Sequence, residues 1–488
     1  MNRLKALATT LLALLLTLGS AQAAVKVADI FGSNMVLQRQ TDAHLWGTTD
    51  TPKAKITITA SWSKKSLTTM ADDQGRWTLH IPTPEAGGPY TITIRQGSDR
   101  LTLDNVLIGE VWICSGQSNM EMPMKGFSFQ PVAGATEVIA TAKAKTPIRM
   151  CTVKRRTART PIEDCTSEWL ENTPTAVAST SATAYLFAKR LQEVLEVPVG
   201  IVVSCWGGTR VESWMNRSAL EGFDNVPYEM LDQLETLKRP HDAPTSLYNG
   251  MLHPIEGYTA RGFLWYQGES NRDDAARYRL LMKQFVPMLR EVWDAGKDMP
   301  FYYVQIAPYN YDGENIVSGA LIREAQLQGL EDIENCGMAV TIDAGNPYCI
   351  HPENKQVVGD RLAYLALHHT YGMSAINPNT PTLKEMTVKP DGTIWLTFNT
   401  DKLSINPANT ELAGFHVAGT DRVFYPAKAV LNRKRSRVEV VCEAVAKPVA
   451  LRYAFVNMPQ CSLYNAYGIP VSPFRTDIWP DATYAPEP

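Results

Sequence analysis

Residues Ser115 to Met120 read SGQSNM and directly follow the apolar run Val111 to Cys114. A strand that runs into a glycine and then into Ser118 would lift a hydroxyl out of the end of a sheet and leave backbone N–H groups beside it. A serine placed in this way acts as a nucleophile when a base reaches it. Ser, Gly and Asn are also common turn residues, so the hexapeptide alone is equally consistent with an ordinary strand-to-loop turn.

Three later stretches place polar loops after other apolar strands. They are SCWGGT at 204–209, WYQGESN at 265–271 and IHPENKQ at 350–356. The carboxyl ends of the strands of an open parallel sheet meet at one edge, where such sheets bind ligands. The sequence therefore predicts that these four loops converge on one site.

The loops contain the groups that an acyl-transfer site requires. His351 is the predicted base for Ser118, because an imidazole takes up and returns a proton near neutral pH. The tetrahedral intermediate carries an oxyanion that needs hydrogen-bond donors. The backbone N–H groups of Ser118 and of Gly207 or Gly208 are predicted donors, and the side-chain amide of Gln267 is the third. A plain tight turn is the alternative interpretation of the two glycines.

These four stretches, in this order, resemble the SGNH/GDSL-type esterases and, more narrowly, the sialate O-acetylesterase family of carbohydrate esterases. The segments at 34–39 (NMVLQR) and 197–201 (VPVGI) also resemble that family. The resemblance runs from about Phe31 to about Ala363. It implies an SGNH-hydrolase-like α/β fold and removal of O-acetyl groups from sugars, with 9-O-acetylated sialic acid as the first substrate and acetylated xylan or another glycan as the alternative. An acetylated carbohydrate is thus the expected partner.

The acid that orients His351 is the point at which the chain departs from the resemblance. SGNH enzymes typically place an Asp three residues before the His, and sialate esterases often place one two residues before it. In this chain those positions are Tyr348 and Cys349. Asp343 is predicted to fold back onto His351, and Glu269 or a backbone carbonyl are the alternatives.

The pocket residues are predicted from the same loops. Asn119, Arg210 and Glu269 are expected to bind substrate, although a solvated surface role fits Asn119 and Arg210 equally well. In the wider SGNH group, an Asn usually fills the role predicted for Gln267. No His/Cys cluster has the spacing of a metal site, and we expect neither a metal nor a cofactor.

Composition and charge fit an exported globular protein. The 488 residues carry a net charge of −3, which gives no reason to expect a nucleic-acid partner. Arg3 and Lys5 precede an apolar segment that ends before the small-residue site at 21–23. This pattern predicts a cleaved signal peptide and a periplasmic or extracellular location, with no membrane span after cleavage.

Hydrophobic periodicity divides the chain into four parts. A signal peptide is predicted at 1–24, an N-terminal β-sandwich at 25–105 and a C-terminal β-rich domain at 376–488. Residues 106–375 alternate strand, loop and helix, which predicts a parallel sheet with helices on both faces. The expected fold is therefore an α/β esterase domain between two β domains.

Two other classes of function remain open at this point. One is a carbohydrate-binding protein whose hydrolase domain is inactive, motivated by the missing Asp before His351. The other is a lipase or peptidase, although the sequence contains no long apolar lid.

Overall fold

The computed structural model describes residues 25–311, 316–400, 402–408 and 412–485. The predicted signal peptide lies outside the described residues. In the described parts, no helix has the length and apolar character needed to cross a membrane.

The N-terminal part consists of two packed sheets of short strands whose residues alternate between core and solvent. One sheet has the order β1-β3-β6, and the other joins β4, β5 and β7 to β8, against which β2 also pairs. The buried faces of both sheets carry Ile, Leu, Val and Trp side chains, as expected for a sandwich. The strands are β1 Val25–Val27, β2 Val36–Gln38, β3 Asp42–Thr49, β4 Lys55–Ala60, β5 Leu67–Met70, β6 Arg76–Pro82, β7 Gly87–Gln96 and β8 Asp99–Gly116.

The central part is built around β8, which continues without a break from the sandwich into the central sheet. The order of this sheet is β10-β9-β11-β8-β12-β13-β14. All neighbours in it are parallel except the antiparallel edge strand β10. The further elements are β9 Ile148–Thr152, β10 Trp169–Glu171, β11 Val199–Cys205, β12 Gly262–Tyr266, β13 Phe301–Val304, β14 Cys336–Ala339, α1 Ser118–Glu121, α2 Ala135–Ala140, α3 Pro174–Ser179, α4 Ala182–Leu195, α5 Ala275–Val292, α6 Ser318–Asp332 and α7 Lys355–Leu365.

Helices cover both faces of this sheet, as the strand–helix alternation predicts. Successive residues of β8 enter different cores: Ile113 packs with α5 and α6, and Trp112 and Cys114 pack with α4 and α7. A strand buried on both faces needs apolar residues throughout, which is why Val111 to Cys114 form a continuous apolar run. The helix α5 continues through Pro287.

The described C-terminal part consists of β-strands and one short 3₁₀ helix at Arg433–Arg435. Its sheets have the orders β15-β16-β21-β20, β17-β23 and β24-β22-β18-β19-β25. Arg475 forms an ion pair of 2.8 Å with Glu324 of α6, which links this part to the central part. The strands are β15 Leu383–Val388, β16 Ile394–Phe398, β17 Leu403–Ile405, β18 Phe415–Ala418, β19 Val423–Pro426, β20 Lys428–Asn432, β21 Arg437–Val441, β22 Ala450–Tyr453, β23 Leu463–Asn465, β24 Phe474–Arg475 and β25 Thr483–Tyr484.

The predicted boundary between residues 105 and 106 falls inside β8. Val106 and Ile108 still pair with β7 of the sandwich, whereas Glu110 to Gly116 pair with β11 of the central sheet. The strand therefore passes through the predicted boundary, and its neighbours change between Ile108 and Glu110.

Candidate active site

Ser118 stands at the point where β8 ends, as the first residue of α1. The turn before it depends on Gly116, whose φ is 141°. A Cβ atom on Gly116 would lie 2.2 Å from the carbonyl oxygen of Tyr266 at the end of β12. The Gln117 N–H donates to that same oxygen at 3.0 Å, and the Gln117 side-chain oxygen accepts from the Gly268 N–H at 3.2 Å. The serine turn is thus joined tightly to the loop that carries the QGES residues.

The Ser118 hydroxyl is accessible and available for chemistry. The side chain is half-buried, and neither its Oγ nor its backbone N–H has a hydrogen-bond partner within the described ranges. The WGGT loop after β11 lies against it, because a Cβ built on Gly207 would be 3.1 Å from Ser118 Cβ. This arrangement provides a nucleophile with a free N–H beside it.

His351 precedes α7, and its imidazole is held from one side by a neutral amide. Its Nδ1 lies 2.7 Å from Oε1 of Gln130, and its ring meets the Phe127 ring edge-on at a centroid distance of 5.3 Å. An amide oxygen accepts a hydrogen bond, so Nδ1 carries the proton and Nε2 stays basic. Burial, together with the positive charge of Lys355, lowers the pKa of His351 to about 4. The imidazole is therefore neutral at neutral pH.

Asn119 joins the serine turn to the histidine segment. Its side-chain N–H₂ group donates to the backbone oxygen of Ile350 at 3.1 Å and to the Glu269 carboxylate at 2.7 Å. Its side-chain oxygen accepts from the ammonium group of Lys355 at 2.5 Å. Because Asn119 follows Ser118 and Ile350 precedes His351, the two predicted catalytic residues lie in adjacent, directly bonded segments.

The prediction that Asn119 and Glu269 contact substrate is not supported. Both side chains are buried, and each is engaged inside the protein. Burial raises the pKa of Glu269, and burial lowers the pKa of Lys355 to about 7. The three residues form a buried polar cluster beneath the site, where they position the serine and histidine segments.

The predicted role of Asp343 as the acid that orients His351 is also not supported. Both carboxylate oxygens of Asp343 are bound by the Arg361 guanidinium of α7, at 2.6 and 2.7 Å. The Tyr464 hydroxyl donates to it at 3.4 Å. Asp343 is therefore bound to Arg361 of α7. The atom that the acid was expected to bind, His351 Nδ1, is bound by Gln130 instead.

The oxyanion donors differ from the expected set. The Gly207 N–H donates to the Glu121 carboxylate at 2.8 Å. The Gln267 amide is buried and donates to the Thr209 carbonyl at 3.0 Å and to Asn271 Oδ1 at 2.7 Å, so both of its hydrogens are used. The N–H groups of Ser118 and Gly208 have no acceptor in the described chain, which leaves them as the donors available to an oxyanion.

A cavity of about 660 Å³ adjoins the site on the side of the WGGT loop. Gly208, Arg210 and Ser270 are among the residues that line it. Arg210 is paired there with Asp273 and Arg239 with Asp242. Arg210 therefore lines a cavity that the WGGT loop also lines, and its contact with substrate stays a prediction.

Sequence reasoning missed three residues of the site: Gln130, Glu121 and Lys355. Lys355 lies within the IHPENKQ stretch and Glu121 directly follows SGQSNM, so both were within reach of motif analysis. Gln130 lies in the loop between α1 and α2 and carries no motif of its own. Among the residues that the structure describes, no group of three or more His, Cys, Asp or Glu side chains is arranged to hold a metal ion.

An accessible serine at the carboxyl end of a parallel strand, a neutral imidazole in the adjoining segment and free backbone donors are the groups that an ester hydrolase of the α/β class can use. Residues 108–367 match the family described as carbohydrate esterase, sialic acid-specific acetylesterase. The match covers more than half of the chain, which belongs to this family and is a carboxylic ester hydrolase.

Proteins and a solved structure of the same kind are similar to this chain over nearly its whole length. The sialate O-acetylesterase of Mus musculus is 27% identical over 525 residues, covering 94% of this chain and 95% of the relative. The sialate O-acetylesterase of Homo sapiens is 26% identical over 495 residues, covering 93% of each. The crystal structure of a carbohydrate acetylesterase from Xanthomonas citri superposes with a TM-score of 0.84 at 34% identity, covering 93% of this chain and 100% of that one.

Proposed function

We propose that this protein is an exported serine esterase that removes O-acetyl groups from carbohydrates through an acetyl-Ser118 intermediate. The observation that carries the proposal is the direct bond between the two catalytic segments, from Asn119 to the Ile350 carbonyl at 3.1 Å. It joins the segment of the accessible Ser118 to the segment of His351, a neutral imidazole whose Nδ1 is bound by Gln130. The available basic nitrogen is Nε2, the atom that a general base for serine must present.

The reaction then proceeds in two halves. In the first, His351 Nε2 takes the proton of Ser118 as Oγ forms a bond to the acetyl carbon, and the oxyanion accepts from the N–H groups of Ser118 and Gly208. The C–O bond to the sugar breaks, and the sugar oxygen takes the proton from His351. In the second, a water molecule repeats these steps on the acetyl-enzyme and releases acetate.

The substrate named by the mammalian relatives is an acetylated sialic acid, so 9-O-acetylated sialic acid is the first substrate to test. One observation favours a neutral acetylated glycan, such as acetylated xylan, as the second candidate. The arginines near the nucleophile are paired with acids: Arg155 with Glu121, and Arg210 and Arg239 with the two aspartates at the cavity. A sialate carboxylate would have to compete with these acids for a cation.

Acetate release from a panel of acetylated sialic acids and neutral glycans tests the proposal. We expect Ser118→Ala to reduce kcat/KM by at least about 10³-fold, because the covalent step loses its nucleophile. Ser179→Ala, which removes an exposed hydroxyl on α3, serves as the control and should retain wild-type activity.

Covalent labelling separates this proposal from an inactive glycan-binding protein. An organophosphonate should label the wild-type chain at Ser118 and leave Ser118→Ala unlabelled. Glycan binding without turnover of any acetyl ester, together with an unlabelled Ser118, would favour the binding protein. Hydrolysis of long-chain esters in preference to acetyl esters would favour a lipase.

A further inference from the structure

Two aromatic side chains beside the active site are fully exposed to solvent. Phe129 is 103% exposed and Tyr348 is 92% exposed, and only Ile478, at 89%, is comparable among the large apolar residues of the described chain. Phe129 also has a positive φ of 62°, which is unfavourable for a bulky residue. Strain of this kind in a loop beside an active site points to a functional constraint.

Both aromatics belong to segments that hold His351. Phe129 lies between Phe127, whose ring packs on the imidazole, and Gln130, whose amide oxygen binds its Nδ1. Tyr348 lies three residues before His351 in a turn closed by Asn346, whose side-chain oxygen accepts from the Tyr348 N–H at 2.9 Å.

The segments that carry the two rings are also bonded to each other. The N–H of Ala133 donates to the Glu353 carbonyl at 2.9 Å. The Asn346 side chain donates to the Glu353 carboxylate at 3.1 Å. We call Phe129 and Tyr348 together the aromatic rim.

The aromatic rim and the 660 Å³ cavity are formed by different segments of the chain. Gly208, in the loop that packs against Ser118, lines the cavity, whereas the rim belongs to the segments around His351. In the proposed reaction, a glycan acetylated at the sugar bound near Ser118 can contact the cavity with one part and the rim with another. A single sugar ring would not need both.

We infer that the aromatic rim is a sugar-binding subsite that stacks a ring neighbouring the acetylated residue, so that the natural substrate is an acetylated oligo- or polysaccharide. This inference rests on the proposed function and adds the length of the glycan to it. Aromatic rings provide a large apolar surface at low conformational cost, and Tyr keeps a hydroxyl for the polar edge of a sugar. The C–H face of a pyranose or xylose ring is a matching apolar surface.

The test compares two substrates on Phe129→Ala, Tyr348→Ala and the double variant. One substrate is an acetylated xylo-oligosaccharide of at least four sugars, and the other is p-nitrophenyl acetate, which contains no sugar ring. For the double variant we expect kcat/KM on the oligosaccharide to fall by about tenfold or more, through KM, since tenfold corresponds to ~1.4 kcal/mol of binding. Activity on p-nitrophenyl acetate should stay within about twofold of wild type, the range of a surface substitution.

Two controls accompany the comparison. Ile478→Ala removes an equally exposed apolar side chain from the C-terminal part and should change neither activity. Phe129→Tyr keeps an aromatic ring and should retain the oligosaccharide activity that Phe129→Ala loses.

Binding gives a second measurement that does not depend on turnover. The deacetylated oligosaccharide should bind Ser118→Ala, and adding both rim substitutions to that protein should weaken binding by about tenfold. Unchanged binding and unchanged oligosaccharide activity would overturn the inference, and so would equal losses on both esters. Failure of the wild type to release acetate from any glycan would instead count against the proposed function.

Discussion

At the residue scale, the unusual feature is the neutral partner of the His351 imidazole, the proposed general base. In a Ser-His-Asp triad, the carboxylate orients the imidazole and stabilises its protonated form. Gln130 can orient His351 by accepting from Nδ1, but it provides no charge to stabilise imidazolium. Burial and the nearby ammonium group of Lys355 both disfavour that form. The site therefore has an oriented base of low basicity.

The pH dependence of kcat/KM should show this directly. His351 acts as a base only when it is unprotonated, so activity is lost as the pH falls through its folded-state pKa of about 4. We expect the acid limb of the profile near pH 4, well below the unperturbed value of about 6.5 for histidine. Gln130→Glu should move the limb to higher pH, because a carboxylate on Nδ1 favours the protonated ring.

Gln130→Met provides the comparison for that shift, since it removes the acceptor without adding charge. It should reduce kcat and leave the acid limb at or below the wild-type position. A wild-type limb near 6.5 would contradict the lowering of the His351 pKa by burial and Lys355, and identical limbs in wild type and Gln130→Glu would contradict the contact between Gln130 and His351.

At the element scale, catalysis depends on how β8 ends beside β12. The last residue of β8 pairs with Tyr266 of β12 and must have a positive φ to turn the chain into α1. The backbone oxygen of Tyr266 occupies the space that a side chain at Gly116 would need. The glycine in SGQSNM is thus required for close approach of two strands as well as for the turn.

Gly116→Ala tests this requirement. The added methyl group must displace the Tyr266 carbonyl, and an alanine at this position must adopt a φ that is unfavourable for residues with a side chain. We therefore expect a loss of stability on the order of 3 kcal/mol and a loss of esterase activity. Urea unfolding and acetate release measure the two effects. Gly32→Ala is the matched control, because a Cβ there meets no atom within 4 Å, and its stability should match the wild type.

The sequence predicted the strands that carry the site better than the side-chain contacts within it. The apolar runs before SGQSNM, WGGT and WYQGESN became β8, β11 and β12, because strands buried on both faces must be apolar throughout. Which polar groups pair beneath the loops depends on tertiary distance, which spacing along the chain does not encode. For this reason Asp343, eight residues before His351, looked suitable, although Arg361 binds it, and Gln130 was overlooked.

At the scale of the whole molecule, β8 unites the N-terminal sandwich with the catalytic sheet. Glu110 lies on this strand where the two parts meet, and its carboxylate is fully buried. It accepts from the guanidinium groups of Arg39 at 2.5 Å and Arg261 at 2.9 Å, and from the Tyr371 hydroxyl at 2.8 Å. Residues from the sandwich, from the segment before β12 and from the end of the catalytic domain thus converge on one side chain.

Hydrophobic periodicity predicted a domain boundary between residues 105 and 106, where the structure has one continuous strand. The neighbours of β8 change farther along, between Ile108, which pairs with β7, and Glu110, which pairs with β11. Continuous strand pairing and a shared buried carboxylate make the two parts one cooperative unit. We therefore expect both parts to unfold in a single transition.

Glu110→Ala tests the junction. Removal of the carboxylate leaves Arg39 and Arg261 partly buried without their acid, so we expect a loss of about 3–5 kcal/mol in the free energy of unfolding. Burial alone would raise the pKa of Glu110, but the hydrogen bonds and charge of Arg261, with the bonds from Arg39 and Tyr371, lower it. Its stabilising contribution is therefore present above its unfolded-state pKa of about 4.3 and is lost as the pH falls through the lower folded-state value.

Urea unfolding at pH 7, followed both by tryptophan fluorescence and by esterase activity, measures this effect. The two probes should give coincident transitions in the wild type and in Glu110→Ala, with the midpoint of the variant lower for both. Asp73→Ala serves as the control, because Asp73 forms an ion pair with Lys53 in which the two side chains are 80% and 75% exposed. This substitution should leave the midpoint nearly unchanged. Separate transitions for the two probes in the wild type would show that β8 does not couple the sandwich to the catalytic sheet.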